Sequence, residues 1–243
     1  MANKIRVLFL AANPIDSGYQ LRLGEEAREI GKRIRVGDHR DSFDLNPEFA
    51  VRASDLQEAM LRRRPHIVHF SGHGSKTEGI VLEDNLGKSK LLNKSALAGL
   101  FRILKDDIKV VVLNACYAKD QALGLTETID YTIGMNDTIG DRAAIVFASF
   151  FYQSLAFGRT VTESFELALN QLDLEGIPGS NVPELLVRPG VDTSIPLVER
   201  KAKPHPDRVA SDPNFKGARI GQANVIDGDK NLIIGKVVSK KQK

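Results

Sequence analysis

Two apolar runs dominate the pattern of this chain. One is His66-Ile67-Val68-His69-Phe70-Ser71-Gly72-His73-Gly74, and the other is Lys109-Val110-Val111-Val112-Leu113-Asn114-Ala115-Cys116-Tyr117-Ala118. Neither alternates with polar residues. Continuous β-branched runs of this length suit central parallel strands covered on both faces. Ile5–Ala12 has the same character, and Asn13-Pro14 ends it. Between these runs the apolar positions fall at helical spacing. A helix is predicted over about 20–35, through Leu21, Leu23, Ala27, Ile30 and Ile34. Residues 36–48 are polar and read as a loop, with a short strand at Phe49-Ala50-Val51. A helix from Ala53 or Ser54 runs through Leu56, Ala59, Met60 and Leu61, and Arg62-Arg63-Arg64 before Pro65 closes it. Cations in a last turn complement the helix dipole, and the proline cannot continue the helix.

The later stretches repeat the design. Residues 79–84 and 89–92 read as a hairpin about Asp84-Asn85-Leu86-Gly87, followed by a helix over about 94–105. A helix is expected from Ala118 to about Ile129, then a short strand over Thr132–Met135 and a loop. Asp141 is placed to cap a buried helix over 141–157, which Gly158 ends. Thr160 with Glu163 forms a capping box for a last helix to about Leu174, and Leu185–Val187 reads as an edge strand. Strands alternating with helices predict an α/β fold, with a mostly parallel central sheet and helices on both faces.

The candidate chemistry lies where the two central runs end. Ligands in open α/β sheets bind outside the carboxyl ends of the strands. If the two strands are neighbours, His73 and Cys116 stand side by side on that edge. A thiol beside an imidazole is the minimum for cysteine nucleophilic catalysis. Gly72 and Gly74 permit a tight turn and leave room for a substrate backbone. The residues alone leave a second reading open, because a free cysteine often serves as a small buried hydrophobe. His69, four residues before His73, is read as a buried supporting residue, since an H-x-x-x-H metal pair usually sits on a helix, this one falls on a strand and its turn, and no second cysteine or acidic cluster is near. No cofactor and no metal are expected. There is no G-x-G-x-x-G and no G-x-x-x-x-G-K, so a nucleotide-binding reading has no phosphate motif.

His69-Phe70-Ser71-Gly72-His73-Gly74 together with Leu113-Asn114-Ala115-Cys116 resembles the CHAT domain, a caspase-like peptidase family. It belongs to the clan of caspases, metacaspases, gingipains and separases. Ile133-Gly134-Met135, Asp141-Arg142-Ala143-Ala144 and Phe147-Ala148-Ser149-Phe150-Phe151-Tyr152 resemble the family's third strand and following helix. The resemblance spans roughly residues 4–190. His73 and Cys116 are 43 residues apart, near the roughly 50 of caspases. The local caspase signature around the cysteine is absent, which leaves aspartate specificity without support. The resemblance implies a caspase-like three-layer fold and a cysteine endopeptidase with a His73/Cys116 dyad. It implies backbone donors at Cys116 and the Gly72–Gly74 turn for the oxyanion. It further implies a role in bacterial defence or regulated cell death, under an upstream sensor or self-assembly. Asp120, Asp137 and Asp141 are the acids near the site strands. If one lines the pocket, Lys or Arg before the cut is favoured by charge pairing. The alternative from another class is a catalytically silent adaptor acting through its C-terminal tail.

Composition adds boundaries. The 243 residues suffice for one large α/β domain and a small extra piece. One cysteine excludes an intramolecular disulfide, which fits a reducing cytoplasm. No run approaches a membrane span, and no signal peptide is read at the N-terminus. The net charge of +3 divides unevenly: residues 200–243 hold 11 Lys/Arg and 4 Asp/Glu, so residues 1–199 hold 23 and 27. The expected organisation is a peptidase domain over 1–199, a linker over 200–217, and a basic β-prone tail over 218–243. The tail's Asp227-Gly228 between Ile-, Asn- and Val-containing arms signals either a terminal hairpin or a cross-β recruitment motif over 218–238. Expected partners are a protein or peptide substrate and a sensor or second copy met through the tail, with nucleic acid not expected.

Overall fold

A computed structural model describes residues 4–75 and 79–198. The expected linker and tail, residues 200–243, lie outside the described residues. The elements are β1 (Ile5–Ala12), α1 (Leu23–Arg35), β2 (Phe43–Phe49), α2 (Ala53–Arg63), β3 (Ile67–Gly72), β4 (Gly74–Ser75), β5 (Gly79–Glu83), β6 (Ser89–Leu91), α3 (Lys94–Leu104), β7 (Val110–Asn114), α4 (Lys119–Leu125), β8 (Tyr131–Met135), α5 (Asp141–Ala156), α6 (Val161–Leu174) and β9 (Pro183–Val187).

Six strands form the central sheet in the order β2-β1-β3-β7-β8-β9. All neighbours are parallel except β8 and β9. Strand side chains alternate between two separate cores, because successive Cβ atoms point to opposite faces. Val7, Phe9 and Ala11 of β1 join α1, α5 and α6 on one face. Leu8, Leu10 and Ala12 join α2, α3 and α4 on the other. This is the mostly parallel, three-layer α/β arrangement expected. It explains the unbroken apolar runs, since neither face of β1, β3 or β7 meets water. Full burial of a side chain such as Phe9 or Phe101 contributes about 1.5–3 kcal/mol. The small strands β4, β5 and β6 form an antiparallel sheet beside the end of β3.

Four readings need correction. Residues 43–48 are strand rather than loop, because β2 is a sheet edge that pairs only with β1 and so tolerates polar residues and Pro47. Phe49 ends that strand, and Ala50 turns the chain at φ 54°, so Phe49–Val51 is not a separate strand. The helix after β7 stops at Leu125. There Thr126 Oγ1 bonds back to the Ala122 carbonyl and to Thr132 Oγ1, and turns replace the helix. Asp141 is not the cap of α5. Gly140 holds that position, and the Asp141 carboxylate takes Arg22 instead. Other expectations hold closely. Arg64 closes α2 in the left-handed region at φ 44°, just before Pro65. Thr160 and Glu163 form the capping box of α6.

Candidate active site at the carboxyl edge of the sheet

The strand order fixes where side chains meet. From β1 the chain steps one way to β2 and the other way to β3, β7 and β8. The crevice outside the carboxyl ends lies at such a reversal. β3 and β7 are parallel neighbours, and Ser71 pairs with Asn114. His73 and Cys116 each stand two residues beyond that last pair. The two turns touch through their backbones. A Cβ on Gly74 would overlap the Cys116 carbonyl oxygen, and one on Gly72 would sit 2.6 Å from the Ala12 carbonyl oxygen. Glycine at both places is a condition of the close approach. The His73 carbonyl accepts from the Val81 N–H at 3.1 Å, tying the turn to β5.

His73 and Cys116 line one cleft of about 280 Å³. Its walls also include Tyr19 and Leu23 from the β1–α1 segment, Gly72 and Gly74, and Ile139 and Ala144 near the start of α5. Cys116 is half-buried and forms no disulfide. The His73 ring is held on two sides. Its Nε2 lies 3.1 Å from Asn13 Oδ1, and the Tyr19 ring meets it edge-on with centroids 5.2 Å apart. The Asn13 amide has a fixed orientation, since its Nδ2 donates to the Leu21 carbonyl at 3.0 Å. Oδ1 therefore faces both the Leu21 N–H, at 3.2 Å, and His73. An amide oxygen only accepts, so the His73 proton sits on Nε2. Burial pushes the His73 imidazole below its ordinary value, and a hydrogen bond to the Tyr19 backbone partly opposes this.

The cleft floor is polar. Glu26 of α1 is 2% exposed, on the helix face otherwise formed by Leu23, Ala27, Ile30 and Ile34. Three groups meet its carboxylate. His69 Nε2 lies 3.0 Å from Oε1, Asn114 Nδ2 donates to Oε1 at 2.7 Å, and the Ser71 hydroxyl donates to Oε2. His69 Nδ1 in turn lies 3.2 Å from the Tyr152 hydroxyl. His69 is thus the buried supporting residue that the sequence suggested. Glu26, Asn13, Tyr19 and Asn114 were not singled out. The available signals were a carboxylate in an apolar helical register and an asparagine ending an apolar strand.

The three aspartates fall in different places. Asp141 lines the cleft, but Arg22 Nε donates to its Oδ2 at 2.7 Å at the rim. Asp137 stands outside the lining. It accepts from the Thr138 N–H at 2.7 Å and from the Tyr117 hydroxyl, and so supports Tyr117 in its left-handed conformation at φ 57°. Asp120 also stands outside the lining, exposed, with Lys94 Nζ 3.8 Å away. Among the described residues, no group of three His, Cys, Asp or Glu side chains is arranged to hold a metal ion. No helix there is long and apolar enough to cross a membrane.

Comparison with known proteins agrees with this arrangement. The CHAT domain model matches residues 21–182. A protein named Roc-COR-CHAT protease, from an unknown prokaryotic organism, is 28% identical over 158 residues, covering 62% of this chain and 15% of that protein. A protein named Probable protease, from Gillisia limnaea, is 26% identical over 157 residues, covering 63% of this chain and 27% of that protein. The chain therefore spans under a third of the length of either relative. The matched segment runs from just before α1 to just before β9 and takes in both turns of the cleft, so this chain belongs to the CHAT domain family.

Proposed function

We propose that the chain is a cysteine endopeptidase whose nucleophile is Cys116 and whose base is His73. The observation that carries this is the meeting of the β3 and β7 ends, with both side chains on one cleft. Two relatives named as proteases support the reaction class. With its proton on Nε2, His73 offers the Nδ1 lone pair to the Cys116 thiol. The sulfur attacks the scissile carbonyl carbon as the proton passes to the imidazole. Backbone N–H groups of Cys116 and the Gly72–Gly74 turn receive the negative charge that develops on the carbonyl oxygen. The C–N bond then breaks, the imidazolium returns its proton to the departing amine, and a thioester remains on Cys116. Water, deprotonated by the same imidazole, hydrolyses it. Asn13 is not part of the cleft lining. Its role is positioning, because it fixes the tautomer and tilt of His73.

The substrate is an extended protein segment, with Lys or Arg before the cut. The setting is the cytoplasm, in bacterial defence or regulated cell death, as the family resemblance implies. Both relatives carry most of their length outside the matched segment, which supports control by other segments or partners. In this chain residues 218–238 would serve that control. Cleavage of a library of unstructured peptides, read by mass spectrometry, tests the reaction. Cys116→Ala and His73→Ala should each lower cleavage by at least roughly 10³-fold. Undiminished function in Cys116→Ala would instead favour the adaptor.

A further inference from the structure

We infer that the cleft selects a cationic side chain, the Lys or Arg before the cut, and that Glu26 together with Asn114 is what selects it. This rests on the peptidase reading and assigns the choice of residue to a carboxylate that none of the sequence-expected aspartates supplies.

Burial holds the Tyr152 phenol protonated, since its titration lies well above the ordinary value. Among the described residues, its one hydrogen-bond partner is His69 Nδ1. His69 Nε2 in turn faces Glu26 Oε1, so the ring bridges the phenol and the carboxylate. Ser71 and Asn114, which donate to Glu26, are neutral. Among the described residues, no lysine or arginine pairs with the Glu26 carboxylate, whose one ionisable partner is His69. A buried carboxylate is costly without a counter-cation. Its place in the cleft lining lets a cationic side chain that fills the cleft approach it.

Asn114 gives an independent sign of the same ligand. It is 4% exposed and lines the cleft. Its Nδ2 donates to Glu26 Oε1 at 2.7 Å and to the Ala144 carbonyl at 3.4 Å, which fixes the amide. Its Oδ1 is buried and has no hydrogen-bond partner among the described residues. An acceptor left unmade in this way costs desolvation until a donor arrives. A lone acceptor beside a carboxylate suits an ammonium with three N–H groups or a guanidinium with five. Leu21, Leu23, Ile139 and Ala144 supply an apolar wall for the methylenes of such a side chain. An acidic side chain would meet like charge here. A leucine would leave the Asn114 Oδ1 without a donor. Asp141 is a poorer selector because Arg22 already occupies it.

The test separates binding from chemistry. Nuclear magnetic resonance titration of Cys116→Ala would compare acetyl-arginine amide with acetyl-citrulline amide, its uncharged near-isostere. Arginine should bind roughly 10–100-fold tighter, the range for hydrogen bonds to a charged group. Glu26→Gln on the same background should abolish the difference. Equal affinities, or no detectable binding of the arginine probe, would overturn the inference, and that comparison needs no Glu26 variant to fold. On the wild-type chain, an arginyl acyloxymethyl ketone should label Cys116 faster than its leucyl counterpart. Labelling of Cys116 without that preference would sink the cation site and leave the dyad. Arginine binding with no labelling by either probe would leave the cation site and count against the dyad.

Discussion

The imidazole of His73 makes its surroundings readable through pH. Burial lowers its titration below the ordinary histidine value of 6.5, outweighing the hydrogen bond to the Tyr19 backbone. In the proposed mechanism the neutral imidazole is the base, so activity is lost as pH falls through the lowered value. The acid limb of kcat/KM should therefore lie below pH 6.5. A limb at or above that value would contradict a desolvated base. Asn13→Ala should lower kcat by roughly 10–100-fold with little change in KM, because it loosens the ring without touching substrate. At this scale the sequence was partly legible. His73 and Cys116 stood out because each follows an apolar strand. Glu26 did not, because a helical pattern tolerates one charge, and only the packing of α1 against β3 and β7 shows that this charge is buried. Asn13 was hidden for another reason. In sequence it reads as a strand stop, which it is, while its partner is 60 residues away.

The elements act by bringing two strand ends together. β3 and β7 run in register, and the turn after one rests on the backbone after the other. Gly74→Ala places a Cβ against the Cys116 carbonyl, which cannot retreat as a flexible side chain would. The substitution should destabilise the fold by about 1–3 kcal/mol, as overpacking does, and should cost more activity than that loss explains. Thermal unfolding and cleavage rate measured together check it. Wild-type stability and activity in Gly74→Ala would mean that the two turns do not meet as described. Central strands were the easiest elements to read, since burial on both faces removes any polar alternation. β2 was the hardest, since an edge strand with Pro47 has the composition of a loop. The end of α4 was overrun because the side-chain bond from Thr126 that replaces the helix has no signature in apolar spacing.

At the scale of the described residues, the two cores cover both faces of the sheet, and the reversal of strand order leaves a cleft at its carboxyl edge. Four chain segments reach that edge: the β1–α1 loop, the turns after β3 and β7, and the start of α5. None forms the cleft alone, which is why motif spacing located the dyad candidates but not the walls. The alternation of strands and helices made the three-layer architecture legible. Charge proximity in sequence was a poorer guide: of Asp120, Asp137 and Asp141, only Asp141 lines the cleft. The central claim is that Cys116 is a nucleophile activated by His73. Intact-mass labelling by a peptidyl acyloxymethyl ketone tests it most directly, using the full chain as wild type, Cys116→Ala and His73→Ala. The account predicts one adduct on the wild type, none on Cys116→Ala, and labelling slowed at least roughly 10²-fold in His73→Ala. Labelling of Cys116 at an equal rate with and without His73, and with no dependence on the peptide, would show an exposed thiol and contradict the account.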